Sequence, residues 1–210
     1  MKVKICGLTD RENITRVLEL DPEFIGFIFY PPSPRYMVGR LSSEEVSKLP
    51  GKVIKTGVFV NASVEEIKRA VDEYRLDIVQ LHGDESPATC RSVNESGLEI
   101  IKAFSIGENV DFERFEEYIP YCKFFLFDTV TIGKGGSGRK FNWEILENYN
   151  LDQPWFLSGG IAMEDAFDIA GLKYPGLAGV DLNSRFEISP GIKDTEKLRT
   201  FIQEIRRSQS

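Results

Sequence analysis

The sequence predicts a single (β/α)₈ barrel over residues 1–210. Eight short apolar runs without a polar alternate face recur along the chain, a pattern typical of strands buried on both sides of a parallel sheet. Segments with helical periodicity lie between them, and no linker or change of composition divides the chain. A doubly wound open sheet is the alternative. It normally has about five or six strands and a glycine fingerprint after the first, which residues 6–9 lack.

The predicted strands span residues 3–6, 24–29, 55–60, 78–81, 99–104, 124–127, 155–158 and 179–182. Their ends are separated by roughly 21 to 31 residues, the size of a βα unit with its loops. Two intervening segments carry the start signal of a capped helix, Ser63 with Glu66 and residues 42–45. A last amphipathic helix is predicted over residues 195–205.

The composition excludes several classes of partner. With 210 residues, 41% of them apolar, the chain can bury a substantial core. A net charge of −7 argues against nucleic acid or an anionic membrane, because both attract clustered Lys and Arg. The longest apolar run, residues 24–30, is too short to span a bilayer. Cys6, Cys90 and Cys122 form no C-x-x-C pair, so reduced thiols in the cytoplasm are expected. A monomer and a homodimer are both compatible with this composition.

Reactive side chains are concentrated where the predicted strands end. In a (β/α)₈ barrel the loops after the strands carry the chemistry, at the carboxyl end of the barrel. The residues at these positions are Cys6, Arg35, Asn61, His82, Ser105, Asp128, Ser158-Gly159-Gly160 and Asp181-Leu182-Asn183-Ser184. We therefore expect one site built from several loops.

Cys6 and Asp128 are the candidate proton-transfer residues. Lys4 lies two residues before Cys6 on the same strand face, where its charge would favour the thiolate. Alternatively, Cys6 is a small buried hydrophobe and Lys4 an interior lysine paired with a carboxylate. Asp128 ends an apolar run, and apolar surroundings would favour its protonated, proton-donating form. Capping of the next turn is the alternative role for Asp128.

Glycine-rich segments predict an anion site and a lid. Residues 158–161 and 181–184 follow the last two strands, where barrels commonly bind phosphate through backbone amides and a helix N-terminus. Residues 133–140 do not match a P-loop, and we expect a mobile lid there or else a plain flexible loop. His82 is the single histidine, so a multi-histidine metal site is excluded and a lining role is expected. A reaction without a cofactor is favoured.

Segments along the whole chain resemble the phosphoribosylanthranilate isomerase family of tryptophan biosynthesis. The most specific are the K-x-C-G-x-T opening at residues 4–9 and Q-L-H-G at residues 80–83. The other matching segments are residues 26–30, 33–36, 57–61, 79–85, 128–129, 135–138, 141–143, 157–161, 179–181 and 190–194. The resemblance implies a monofunctional (β/α)₈ isomerase.

The resemblance also implies a reaction. It is the Amadori rearrangement of N-(5′-phosphoribosyl)anthranilate to 1-(2-carboxyphenylamino)-1-deoxyribulose 5-phosphate. By the family's pattern Asp128 is the general acid and Cys6 the general base. Arg35 would hold the anthranilate carboxylate through its fork of donors. The expected substrate-binding residues are Arg35, Gly159, Gly160, Asp181, Asn183 and Ser184.

The chain departs from the family after the last strand. The family usually has D-x-S-S-G-V-E, whereas residues 181–187 are D-L-N-S-R-F-E. Arg185 stands in place of a glycine, so either the loop follows a different path or Arg185 adds a charged contact. Two alternatives remain at this point. One is the related phosphosugar isomerase of histidine synthesis, which uses two aspartates and is disfavoured by Cys6; the other is a non-catalytic phosphate-ligand barrel, which only Arg185 favours.

Overall fold

Eight parallel strands close into a barrel in chain order in the computed structural model, which describes residues 1–107, 109–129 and 143–207. β1 pairs with β2 on one side and with β8 on the other. The strands are Lys2–Cys6 (β1), Phe24–Ile28 (β2), Ile54–Phe59 (β3), Ile78–Leu81 (β4), Ile100–Ile106 (β5), Phe124–Thr129 (β6), Trp155–Ser158 (β7) and Leu177–Leu182 (β8). The predicted (β/α)₈ barrel is confirmed, and each apolar run forms a strand.

Helices follow the strands on the outside of the barrel. The α-helices are Arg11–Leu18 (α1), Ser43–Ser47 (α2), Val64–Tyr74 (α3), Pro87–Glu95 (α4), Ala166–Gly171 (α5) and Thr195–Arg207 (α6). Segments of 3₁₀ helix lie at Glu113–Tyr121, Trp143–Asn148, Met163–Asp165 and Ser184–Phe186. The first two differ from the predicted alternation of strand and α-helix. Pro120 lies inside the first of them and has no N–H to donate to an α-helical hydrogen bond.

The two predicted helix starts are capping boxes. The Ser63 hydroxyl accepts a hydrogen bond from the backbone N–H of Glu66 at 3.2 Å, and the Glu66 carboxylate accepts one from the N–H of Ser63 at 2.8 Å. Ser42 and Glu45 make the same exchange at 3.2 and 2.9 Å. Each box satisfies two N–H groups that the first helical turn leaves unpaired. These contacts set the beginnings of α3 and α2.

Apolar side chains fill the amino-terminal part of the barrel interior. Phe24, Phe124 and Phe156 pack edge to face there, with ring centroids 5.2 to 6.0 Å apart. Towards the carboxyl ends of the strands the interior becomes polar, since Lys4 and Asp181 are buried on β1 and β8. The aromatic cluster therefore closes the bottom of the barrel and leaves its carboxyl end for a site.

A short antiparallel hairpin follows β8 and the 3₁₀ turn. It consists of Glu187–Ser189 (β9) and Ile192–Lys193 (β10), directly before α6. The hairpin places Glu187 and Lys193 near the loop after β8, where Glu187 contacts Arg35 of the loop after β2 and Lys193 contacts Asn183. Among the helices that the structure describes, none is long and apolar enough to cross a membrane.

Candidate active site at the carboxyl end of the barrel

A cavity of about 200 Å³ opens at the carboxyl end of the barrel. Its lining comes from the ends of β1 to β4 and β6 to β8 and from the loops that follow them. The lining residues are Cys6, Ile28, Val58, Gln80, His82, Asp128, Ser158, Gly159, Gly160, Ile161, Asp181, Asn183 and Ser184. Seven of the eight predicted site residues are therefore brought together, and Arg35 is the exception. A larger groove of about 510 Å³ lies between α1 and α2 and contains none of them.

Cys6 lies at the end of β1 opposite Gly26 of β2 and is 3% exposed. A Cβ atom on Gly26 would lie 2.7 Å from Cys6 Sγ, so the thiol occupies space that only glycine leaves open. Burial raises the pKa of Cys6, and the ammonium group of Lys4 opposes this shift without cancelling it. Lys4 lowers the pKa of the Cys6 thiol as expected, but burial raises it by more.

Lys4 is the interior lysine of the alternative interpretation. Its Nζ donates a hydrogen bond to Asp181 Oδ2 at 2.8 Å, and both side chains are buried. Burial alone would lower the pKa of Lys4, but the negative charges of Asp181 and Cys6 raise it. The ammonium group therefore remains charged between the carboxylate and the thiol.

Asp128 lies at the end of β6 and faces the imidazole of His82. Its Oδ2 is 3.2 Å from His82 Nε2, and the two side chains are 34% and 31% exposed. The apolar surroundings expected for Asp128 are therefore wrong: the preceding phenylalanines are buried, but the carboxylate turns towards the cavity. His82 lines the cavity as expected, and its Nδ1 lies 2.8 Å from Gln80 Nε2.

Two consecutive glycines after β7 expose their backbone to the cavity. Gly159 and Gly160 have φ angles of +98° and +65°, in the left-handed region that favours glycine. Successive amides in such a turn form a concave site for an anion. Asn183 and Ser184 line the cavity from the loop after β8. The predicted helix N-terminus there is only the single 3₁₀ turn Ser184–Phe186, and the predicted lid, residues 133–140, lies outside the described residues.

Arg35 forms a bidentate ion pair with Glu187 and does not line the cavity. Its Nε donates to the Glu187 carboxylate at 2.9 and 3.0 Å, and its Nη2 donates at 2.6 Å. Lys193 Nζ donates to the same carboxylate at 2.8 Å and to Asn183 Oδ1 at 2.8 Å. Burial would raise the pKa of Glu187, but Arg35 and Lys193 lower it overall. Glu187 thus engages two of the five N–H donors of the guanidinium, and the donors on Nη1 and the second one on Nη2 remain for a ligand, so binding of substrate by the fork of Arg35 stays a prediction.

Glu187 and Lys193 belong to the site, although no motif in the sequence predicts a role for either. Glu187 meets Arg35 across 152 positions of the chain, and no local pattern predicts such a contact. Arg185 is exposed within the 3₁₀ turn and does not line the cavity. Its side chain therefore adds no charged contact to the site, and the observation that favoured a non-catalytic barrel is lost. Within the described ranges, no three His, Cys, Asp or Glu side chains are placed to hold a metal ion.

The sequence and the fold are both similar to those of an enzyme family with solved structures. Residues 3–204 match the family model of N-(5′-phosphoribosyl)anthranilate (PRA) isomerase. The chain is 46% identical to the N-(5′-phosphoribosyl)anthranilate isomerase of Parabacteroides distasonis, over 98% of this chain and 93% of the relative. It is 40% identical to that of Phocaeicola vulgatus, over 98% of both chains.

Solved structures of the same family have the same fold. Phosphoribosyl anthranilate isomerase from Thermotoga maritima gives a TM-score of 0.83 at 33% identity, over 99% of both chains. A phosphoribosyl anthranilate isomerase in complex with reduced 1-(o-carboxyphenylamino)-1-deoxyribulose 5-phosphate gives 0.81 at 30% identity, also over 99% of both. On this evidence the chain belongs to the N-(5′-phosphoribosyl)anthranilate isomerase family.

Proposed function

We propose that Asp128 and Cys6 carry out the isomerisation of N-(5′-phosphoribosyl)anthranilate as general acid and general base. The reaction is the Amadori rearrangement to 1-(2-carboxyphenylamino)-1-deoxyribulose 5-phosphate, a step of tryptophan biosynthesis. One observation carries the assignment of roles: the thiol of β1 and the carboxyl of β6 line the same small cavity. A single sugar can therefore contact both groups.

Proton transfer by these two groups accounts for each step. Asp128 donates a proton to the furanose oxygen, and the C1–O bond breaks to give an open-chain Schiff base. Cys6 then removes the proton from C2, and the electron pair moves towards the nitrogen to form an enolamine. The enolamine tautomerises to the ketone when C1 gains a proton and the C2 hydroxyl loses one. Cys6 acts as the thiolate, which the charge of Lys4 stabilises.

The phosphate group is proposed to bind at the glycine pair after β7. The left-handed turn at Gly159 and Gly160 supports this, because its amides can surround an anion without a basic side chain. Asn183 and Ser184 offer side-chain donors from the facing loop. A net charge of −7 does not oppose such binding, since the donors are local dipoles.

Arg35 is proposed to bind the anthranilate carboxylate with the donors of Nη1 and Nη2 that Glu187 leaves. Gly7 brings Arg35 close to the base, because a Cβ atom on Gly7 would lie 2.7 Å from Arg35 Cδ and 2.8 Å from Asn183 Oδ1. Glu187 holds the Nε–H and one Nη2–H of the guanidinium and so fixes its plane. The substrate then spans the cavity from the phosphate site to Arg35.

Turnover by two variants tests the roles. Cys6→Ala and Asp128→Asn are each expected to lower kcat by about 10²- to 10⁴-fold, the usual contribution of a positioned acid or base. The assay is the loss of substrate fluorescence, with binding of the reduced product as the control for an intact site. Near-normal turnover in either variant would show that the role is wrong.

The domain organisation, the cellular compartment and the oligomeric state remain predictions from the sequence. Residues 1–210 are proposed to form one domain, acting in the cytoplasm as a monomer or a homodimer. One relative, the isomerase of Thermotoga maritima, is described as dimeric. Sedimentation of the purified chain distinguishes the two oligomeric states.

A further inference from the structure

Two buried oxygen atoms on the wall of the cavity have no hydrogen-bond partner among the described residues. They are Gln80 Oε1 and Asp181 Oδ1, on residues that are 1% and 6% exposed. Thr56 Oγ1 is also unpartnered, but Thr56 does not line the cavity. A buried polar atom without a partner costs free energy, so a ligand that supplies the partner gains affinity.

Asp181 presents an acceptor because Lys4 engages only one of its oxygens. Lys4 Nζ donates to Oδ2 at 2.8 Å, which leaves the lone pairs of Oδ1 unused. Asp181 lies on β8, next to β1 and the Cys6 thiol. The unpartnered oxygen therefore belongs to the same side of the cavity as the base.

Gln80 presents an acceptor because its amide nitrogen is taken by His82. Gln80 Nε2 is an amide nitrogen and only donates, so the His82 ring hydrogen is on Nε2, which lies 3.2 Å from Asp128 Oδ2. Nδ1 is then an acceptor, and Gln80 Nε2 donates to it at 2.8 Å. The carbonyl oxygen of Gln80 is left without a partner, on a residue that lines the cavity on the side of His82 and the general acid.

The two acceptors need a ligand with donors on two sides. β4 and β8 are four strands apart in the closed barrel, so Gln80 and Asp181 face each other across the cavity. We propose that Asp181 Oδ1 and Gln80 Oε1 accept hydrogen bonds from the secondary hydroxyls on C2 and C3 of the substrate sugar, respectively. This assignment rests on the proposed function, which puts C2 beside Cys6.

The proposed contact of Asp181 favours release of the product. The rearrangement converts the C2 hydroxyl into a ketone, which has no hydrogen to donate. The carboxylate of Asp181 then faces a carbonyl oxygen, and two acceptors repel each other. The C3 hydroxyl is unchanged, so the contact with Gln80 survives the reaction. Asp181 thus distinguishes the alcohol from the ketone, and Gln80 does not.

Dissociation constants of the product and its reduced form test this assignment. The reduced ligand carries an alcohol at C2, and its two C2 epimers are measured separately by calorimetry. We expect the wild-type protein to bind the ribo epimer at least about tenfold more tightly than the ketone, since a hydrogen bond to a charged group is lost. Asp181→Asn is expected to abolish this preference, because an amide can donate to the ketone. Gln80→Met is expected to weaken both ligands about equally, by roughly fivefold to tenfold, and to keep the preference.

The controls separate the possible failures. Binding of inorganic phosphate and the melting temperature report on the rest of the site and on the fold. Equal affinities of wild-type protein for alcohol and ketone overturn the role of Asp181, even if Asp181→Asn fails to fold. Unchanged affinities in Gln80→Met show that Gln80 Oε1 holds water only and overturn its role. If the wild-type chain neither binds these ligands nor turns over the substrate, the proposed function itself has failed.

Discussion

The position of the Cys6 thiol depends on the neighbouring strand having a glycine, which carries no Cβ atom, at position 26. Gly26 lies opposite Cys6 in the β1–β2 ladder, and its carbonyl oxygen accepts hydrogen bonds from the N–H groups of Gly7 and Leu8 at 2.9 and 3.1 Å. The same residue thus holds the backbone after Cys6 and leaves room for its sulfur atom. No sequence pattern indicated this role, because it depends on which strands pair.

Replacing Gly26 by alanine is therefore expected to displace the base. The new Cβ atom would lie 2.7 Å from Sγ, and a misplaced catalytic group costs on the order of tenfold to hundredfold in rate. The measurement is kcat of Gly26→Ala, with Gly51→Ala as the matched control because nothing lies within 4 Å of its added Cβ. Equal kcat values in the two variants would contradict the crowding argument.

Lys4 sets how readily Cys6 ionises. Its ammonium group lowers the pKa of the thiol against the larger effect of burial, so Lys4→Met is expected to raise that pKa further and move thiolate formation to higher pH. The ultraviolet absorbance of the thiolate, corrected with Cys6→Ala, follows the titration. Lys2→Met serves as the control, since Lys2 is exposed on the same strand. An unchanged pKa in Lys4→Met would remove the proposed effect.

At the scale of elements, the loops after β2 and β8 are connected by charged groups. Glu187 at the start of β9 binds Arg35 from one loop and Lys193 of β10, and Lys193 reaches Asn183. These contacts join the proposed carboxylate site to one side of the proposed phosphate site. The hairpin β9–β10 therefore positions binding groups rather than contributing to the barrel.

Glu187→Gln tests this connection. A neutral amide cannot accept from both donors of Arg35 and from Lys193 with the strength of a carboxylate, so Arg35 loses its orientation. We expect KM for the substrate to rise about tenfold with a smaller change in kcat, the signature of lost binding energy. Affinity for a reduced product that lacks the anthranilate carboxylate should change much less. If binding of the substrate and of this carboxylate-free ligand weakened by a similar factor, the specific role of Arg35 would be contradicted.

Apolar runs in the sequence predicted the strands well. The segments that connect the strands were predicted less well. A strand buried on both faces leaves a local pattern in the sequence, which is why all eight were identified. The capping boxes at Ser42 and Ser63 are equally local. By contrast, the 3₁₀ segments and the pairing of Arg35 with Glu187 depend on tertiary contacts that no short window contains.

At the scale of the whole molecule, a buried ion pair joins the loops after β3 and β4 to strand β5. The Glu85 carboxylate accepts from Lys102 Nζ at 3.0 Å and from the backbone N–H groups of Asn61 and Gly83 at 2.9 Å each. Both charged side chains are 2% exposed. Removal of one partner of such a pair leaves the other charge buried and uncompensated.

Glu85→Gln is accordingly expected to destabilise the fold by about 3 to 5 kcal/mol in urea unfolding at neutral pH. Glu99→Gln is the matched control, because its pair with Lys123 is exposed and is expected to contribute less than about 1 kcal/mol. If both variants had the same free energy of unfolding, the buried pair would not be stabilising the fold.

The same pair predicts how stability depends on pH. Burial would raise the pKa of Glu85, but Lys102 and the backbone donors lower it overall. The folded state therefore holds the proton less tightly than the unfolded state, and stability rises with pH in this range. The contribution is complete above the ordinary glutamate pKa of about 4.3 and is lost as the pH falls below it. We expect the acid-induced loss of stability to be smaller in Glu85→Gln, and an equal loss in both proteins would contradict this.

The fold and the convergence of the strand ends could thus be predicted, and the distribution of charge within the site could not. Parallel strands of one barrel bring Cys6 and Asp128 to the same end by topology alone. Whether a carboxyl there is surrounded by apolar groups or by His82 depends on the direction of one side chain.

The isotope effect of deuterium at C2 of the substrate tests the assignment of acid and base most directly. If Cys6 removes the C2 proton, the weaker base of Cys6→Ser makes that step slower, and the effect on kcat should increase above the wild-type value. If Asp128 opens the ring, Asp128→Asn makes the earlier step slow, and the effect should disappear. A large isotope effect in Asp128→Asn together with none in Cys6→Ser would contradict both assignments.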